Sequence, residues 1–201
     1  MSEPIQRRHG LEPFLGEHGD VHASNSAVRI TVRGDLGHIN LRGNPADEKF
    51  VAAVEVAIGQ RLPLTPNTLT SEPNHVFWLG PDEWLIVTEA DRTATMVEAL
   101  RDAVSEFHAA VNDIGGGQVA LMIEGAGTRD MLAKGCTLDL HDSVFTAGSC
   151  AQSGLGKANV LLACLDDAPS LMIVVRRSFA DYLCRWLLRA AGPIGARFQK
   201  V

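Results

Sequence analysis

The run GAGTRD at Gly125 follows an apolar stretch and opens a helical one, the placement at which a glycine-rich loop cradles a dinucleotide pyrophosphate. It lacks the third glycine of that fingerprint, and no acidic residue closes a parallel β-α-β unit at the expected distance. GSCAQSG at Gly148 and GLGK at Gly154 miss the spacing of a phosphate-binding loop and the Ser or Thr that should follow its lysine. Their glycines read as turns. His18 and His22 could share a metal, but they sit on a loop-like segment with Gly19 and Asp20, and two ligands make an incomplete site. No histidine stands beside an evident Ser or Cys nucleophile with a third orienting group. Asp113, ahead of three glycines, is open to two readings, a catalytic acid or a turn-former that accepts backbone hydrogen bonds, and the turn is favoured. Arg176 and Arg177 could hold an anion or stand as a charged strand end, and the strand end is favoured. Trp78, Trp84 and Trp186 lie in alternating strands or on an apolar helix face and read as core. Cys136, Cys150, Cys164 and Cys184 have neither C-x-x-C nor zinc-finger spacing and read as reduced, mostly buried thiols. The expected set of catalytic, cofactor-binding and metal-binding residues is therefore empty.

Composition narrows the partners. With 18 Lys and Arg against 24 Asp and Glu, a formal charge of -6, the chain has no excess of cations for a polyphosphate, and nucleic acid is excluded as a default ligand. No apolar run approaches the roughly 18 residues that a membrane span needs, and Met1 to His9 is polar with no apolar signal core. A cytoplasmic protein is expected. At 201 residues and 46% hydrophobic content, the chain can bury one substantial core or two small fused ones.

The elements that would carry these residues follow from periodicity. Residues 1–25 show little pattern beyond the isolated Leu11, Phe14 and Leu15, and read as an arm, either a frayed terminus or a strap for a partner. Val28, Ile30 and Val32 alternate with polar residues, and Gly34 to Gly37 turns into His38 to Leu41, which predicts a strand pair. Asn44 and Pro45 predict a capped helix with Phe50, Val54, Ala57 and Ile58 on one face. His75 to Leu79 and Trp84 to Val87 predict a hairpin, and Val97, Leu100, Val104 and Phe107 a helix from Thr93. Strands are expected at 110–114, 119–123, 159–165 and 171–175. Helices are expected at 126–134, ended by Gly135 in the left-handed conformation, and from Ser178 to Gly192. A Ser178 and Asp181 capping box would start the second, and Phe179, Leu183, Trp186, Leu187 and Ala190 would face inward.

The two halves repeat one plan, strand, glycine turn, helix, long loop, strand pair, helix, so the expected fold class is α+β, a duplicated β-α-β-β-α module. One domain is expected over 26–201, with modules at about 26–109 and 110–192 and a short C-terminal tail.

VFWLGPDEWLIV (Val76 to Val87), LAKGCTLDLHDSVF (Leu132 to Phe145), GSCAQSGLGKANVLL (Gly148 to Leu162) and VVRRSFADYLCRWL (Val174 to Leu187) resemble the gamma subunit of heterotetrameric sarcosine oxidase. That family is similar, more distantly, to the folate-binding domain of aminomethyltransferases such as the glycine-cleavage T-protein. The resemblance implies a non-catalytic subunit with no independent active site. It would belong to a complex that demethylates sarcosine oxidatively to glycine, reduces oxygen to hydrogen peroxide and passes the one-carbon unit to tetrahydrofolate. It implies large alpha and beta and small delta subunits as partners. FAD, FMN, NAD and tetrahydrofolate would sit on the other subunits, none on this chain. Aminomethyltransferases place an acidic residue on the strand that begins here near Glu72-Pro73-Asn74-His75, but the proline disturbs strand pairing and the acid is not carried over to Glu72. The alternative is a stand-alone folate-binding or one-carbon transfer protein. Uncovered apolar residues on the arm, together with Phe198 beyond the last helix, are expected to mark a partner surface.

Overall fold

Val28–Arg33 and Leu36–Arg42 are strands, β1 and β2, but they do not pair with each other. The computed structural model describes residues 10–18, 26–168 and 170–201. In chain order the first half holds α1 (Glu12–His18), β1, β2, α2 (Glu48–Ile58), β3 (Leu69–Thr70), β4 (His75–Gly80), β5 (Glu83–Glu89) and α3 (Thr93–Ala103). The second holds β6 (Ala110–Asp113), β7 (Gln118–Glu124), α4 (Thr128–Ala133), β8 (Cys150–Leu155), β9 (Ala158–Cys164), β10 (Leu171–Arg176), α5 (Arg177–Ala191) and β11 (Ala196–Lys200).

The strands form two sheets, ordered β11-β1-β7-β10-β9-β8 and β3-β4-β5-β2-β6. The hairpin expected around Gly34 to Gly37 is corrected: β1 runs antiparallel to β7, and β2 lies between β5 and β6. Alternation says that a segment is a strand and which residues share a face, whereas the partner is chosen by the apolar surface that face meets. Val28, Ile30 and Val32 enter one cluster, and Ile39 and Leu41 another. Set without β11, the sheets read β1-β7-β10-β9-β8 and β6-β2-β5-β4-β3. Each half of the chain thus gives its opening strand to the sheet of the other half.

Three apolar clusters follow the alternation. In β10, Leu171, Ile173 and Val175 face α1, α4 and α5, while Met172 and Val174 face the other sheet. In β5, Trp84 and Ile86 face α2 and α3, while Leu85 and Val87 face inward. The result is helices, sheet, sheet, helices in four layers. The sheets are stitched along one edge, where Thr68 bridges Ser149, Leu69 N–H donates to Gly148 O at 3.0 Å and Cys150 N–H donates to Asn67 O at 2.8 Å. Trp84 is fully buried and its Nε1 donates to Pro63 O at 2.8 Å, while Trp78 and Trp186 pack partly buried on the clusters, as their patterns imply.

Several local expectations are also corrected. The cap of α2 is Asp47, which accepts from Lys49 N–H and Phe50 N–H, while Asn44 accepts from Ala46 N–H in the turn before it. Gly59 closes that helix at φ 71, a left-handed conformation in which a side chain would be strained. Gly135 is not left-handed; a Cβ there would collide with the Trp186 ring, so its role is close approach. No side chain caps α5, and Asp181 instead pairs with Arg185 one turn on at 3.0 Å. On that helix Phe179 is 43% exposed, and Ala180 takes the buried position.

The unpacked arm and the uncovered Phe198 are overturned where the chain is described. Leu11 and Phe14 are fully buried, and the Phe14 ring meets that of Phe198 edge-on at 4.8 Å between centroids. Arg185 lies over the Phe14 ring and pairs with Glu17 at 3.1 Å. The isolated apolar residues of the segment are covered by α5 and β11, elements too distant in sequence for local periodicity to reveal. His9 and His22 lie outside the described residues. Phe14→Ala is expected to lower stability by about 3 kcal/mol or more, read from urea denaturation. A loss below about 0.5 kcal/mol, the scale of an ordinary surface change, would return the segment to an arm.

Candidate functional site

The glycine-rich runs are structural in their local geometry. Gly125 sits at φ 113 with its α-carbon against the Ala27 carbonyl, so no Cβ fits. Arg129, in the same run, reaches the loop before β8: its guanidinium donates to Leu140 O and to Phe145 O, and faces Asp142 at 3.2 Å. α4 is then a brace for that loop. Gly148 and Gly156 have positive φ, Gly156 in the turn between β8 and β9, whereas Gly154 lies within β8.

Asp113 accepts from Gly115 N–H at 2.9 Å and closes the turn, the favoured reading. Glu72 is exposed and precedes β4. The buried polar residue beside it is Asn74, whose Nδ2 donates to Ile58 O and whose backbone is clasped by Gln60. His18 faces Glu17 and lies tilted against the Phe14 ring, and no group of three His, Cys, Asp or Glu among the described residues could hold a metal. The four cysteines are free. Burial pushes the Cys150 thiol up to about 11 and the Cys184 thiol up to about 12, which keeps both protonated and unreactive at neutral pH.

The sequence reading missed His38. It is 2% exposed, and among the described residues neither ring nitrogen has a hydrogen-bond partner. Burial pushes its pKa down to about 4, against a smaller upward pull from the Asp113 charge. His75, across Val87 on the same face of the sheet, is also lowered, by burial and then by the Arg33 charge. The signal was legible: Leu36, His38, Asn40 and Arg42 form one phase of β2, opposite the apolar phase of Ile39 and Leu41.

Two clefts flank the Gly115 to Gly117 turn, of about 790 Å³ and about 910 Å³, and share Asp113, Gly116 and Gln118. The arginines singled out above divide between them, Arg177 lining the first and Arg176 the second. In the larger, Glu83 is held by Asn40 Nδ2 and by Arg42, each at 2.8 Å.

The architecture is an α+β fold that is shared with an aminomethyltransferase. The glycine cleavage system aminomethyltransferase T from Bartonella henselae superposes with TM-score 0.62 at 15% identity, over 88% of this chain and 48% of that one. The pattern of the sarcosine oxidase, gamma subunit family matches residues 42–192, and the chain belongs to that family. Sarcosine oxidase subunit gamma of Corynebacterium sp. strain U-96 is 29% identical over 87% of this chain and 84% of its own length, and that of strain P-1 is 30% identical over 76% and 74%. The heterotetrameric sarcosine oxidase from Corynebacterium sp. U-96 in complex with pyrrole 2-carboxylate contains a chain that superposes with TM-score 0.85 at 26% identity, over 94% of this chain and 97% of that one.

The unfolded chain takes up a proton at His38 near pH 6.5, and the folded chain refuses it until about pH 4. Stability from this residue is therefore full above 6.5 and falls by up to about 3 kcal/mol as pH drops through that window. Denaturation midpoints at pH 7, 5.5 and 4.5 should fall less for His38→Leu than for the wild type. Equal falls would remove His38 from the account.

Proposed function

We propose that this chain is the gamma subunit of a heterotetrameric sarcosine oxidase and serves its assembly, with no turnover of its own. The observation that carries the reading is the superposition over nearly the whole length of both chains on one component of such a complex. The complex would oxidise the methyl group of sarcosine, yielding glycine and hydrogen peroxide, and hand the one-carbon unit to tetrahydrofolate. FAD, FMN, NAD and tetrahydrofolate are assigned to the other subunits, and large alpha and beta and small delta chains are the partners. Support for an inert scaffold comes from the glycine-rich runs, which are consumed in turns and close approaches, and from thiols that burial keeps protonated.

A cytoplasmic location fits four free cysteines. No helix among the described residues is long and apolar enough to cross a membrane. The exchange of opening strands supports treating residues 26–201 as one folding unit of two modules, 26–109 and 110–192. The stand-alone folate-binding alternative has only the likeness of fold behind it.

Coexpressed with the two large subunits of a sarcosine oxidase, the chain should copurify in stoichiometric amount, and after dialysis alone it should hold neither flavin nor metal. A stable monomer that ignores the large subunits and quenches its Trp fluorescence with a tetrahydrofolate analogue would establish the alternative. In the assembled complex Asp113→Ala and Glu72→Ala should leave turnover within a few-fold. A fall of about a hundredfold at either position, the usual cost of losing a general acid or base, would place chemistry on this chain.

A further inference from the structure

The larger cleft opens between the sheets, over a floor that includes Leu79, Leu85, Leu161 and Val174. Its walls bring together Gln118 at the start of β7, Asn159 on β9 and Arg176 at the end of β10. Among the described residues none of these three side chains has a hydrogen bond or ion pair. Their polar neighbours are engaged: Glu83 by Asn40 and Arg42, Gln152 Nε2 by Leu79 O at 2.9 Å, and Asp113 by Gly115 N–H. A guanidinium presents paired donors that match a carboxylate, and a carboxamide presents one donor edge and one acceptor, the complement of a peptide group. The smaller cleft continues from the larger through Asp113, Gly116 and Gln118 and adds Lys200, so together they make a track longer than one small ligand needs.

We propose that this track seats an extended segment of a partner subunit, with an acidic group of that segment on Arg176 and its peptide groups on Gln118 and Asn159. The proposal rests on the subunit reading above and names where on this chain the docking occurs. Arg176 is the anchor because it is the arginine of the larger cleft whose charge is unmatched among the described residues. An interfacial cation of this kind gains its counter-charge only on assembly.

The test compares Arg176→Glu with Arg189→Glu, an equal charge reversal on the exposed side of α5, in chains whose thermal melts match the wild type. Affinity for the coexpressed large subunits should fall about tenfold or more for the first and stay within about twofold for the second. A photoreactive benzoylphenylalanine at position 159 should crosslink to a large-subunit peptide that contains Asp or Glu. Unchanged affinity of Arg176→Glu, equal losses for both reversals, or a crosslink suppressed by free glutarate with no partner peptide recovered would each overturn the proposal while leaving the subunit reading standing. Failure of the wild-type chain itself to bind the large subunits would remove both.

Discussion

β1 leaves the half of the chain that it opens and pairs with β7, while β6 leaves its own half and pairs with β2. Everything else in the architecture depends on that exchange. Neither half can complete a sheet without a strand from the other, so the two sheets are held face to face and their inner residues have only each other to pack against. Phe77, Leu85 and Val87 from one sheet meet Leu161, Met172 and Val174 from the other, and the contacts between the two sets are distant in sequence. The bridges between the β3 and β8 segments then close one edge of the sandwich. With that edge closed, access between the layers lies elsewhere.

The inner face of the five-stranded sheet carries Phe77, Leu85 and Val87 along β4 and β5 and is polar along β2, where His38, Asn40 and Arg42 follow one another at every second position. Asn40 and Arg42 spend their donors on Glu83 of β5, a cross-strand network that needs nothing from outside. Among the described residues His38 has no such partner, and an imidazole left unpaired in a low-dielectric layer stays neutral. The clefts lie where the apolar layer gives out and the polar phase of β2 meets the ends of β7, β9 and β10.

The motif-like runs are held by contacts within the chain. Arg129, which a motif search would place at a nucleotide, holds the loop before β8 by its carbonyls. Asp113 shapes a turn, and the glycine at 125 admits a neighbouring backbone. In a family defined by membership of a larger assembly, residues with unspent hydrogen-bonding capacity on the surface carry more information than the glycine-rich runs do.

The sequence by itself determined where most of the strands and the long helices fall and which residues of each share a face. Those properties depend on backbone geometry, with its period of two along a strand and near four along a helix, and each can be read within a dozen residues. The hairpin of β4 and β5, the inward Trp84 and the turn at Asp113 were legible on that ground. The tertiary structure alone decided that β1 and β2 belong to different sheets, that Leu11 and Phe14 are covered by α5 and β11, and that Asp181 answers Arg185 in place of a cap. It also brought Gln118, Asn159 and Arg176 to one cleft. Strand pairing and burial are chosen by competition among apolar surfaces far apart in the chain, and local periodicity is the same whichever surface prevails.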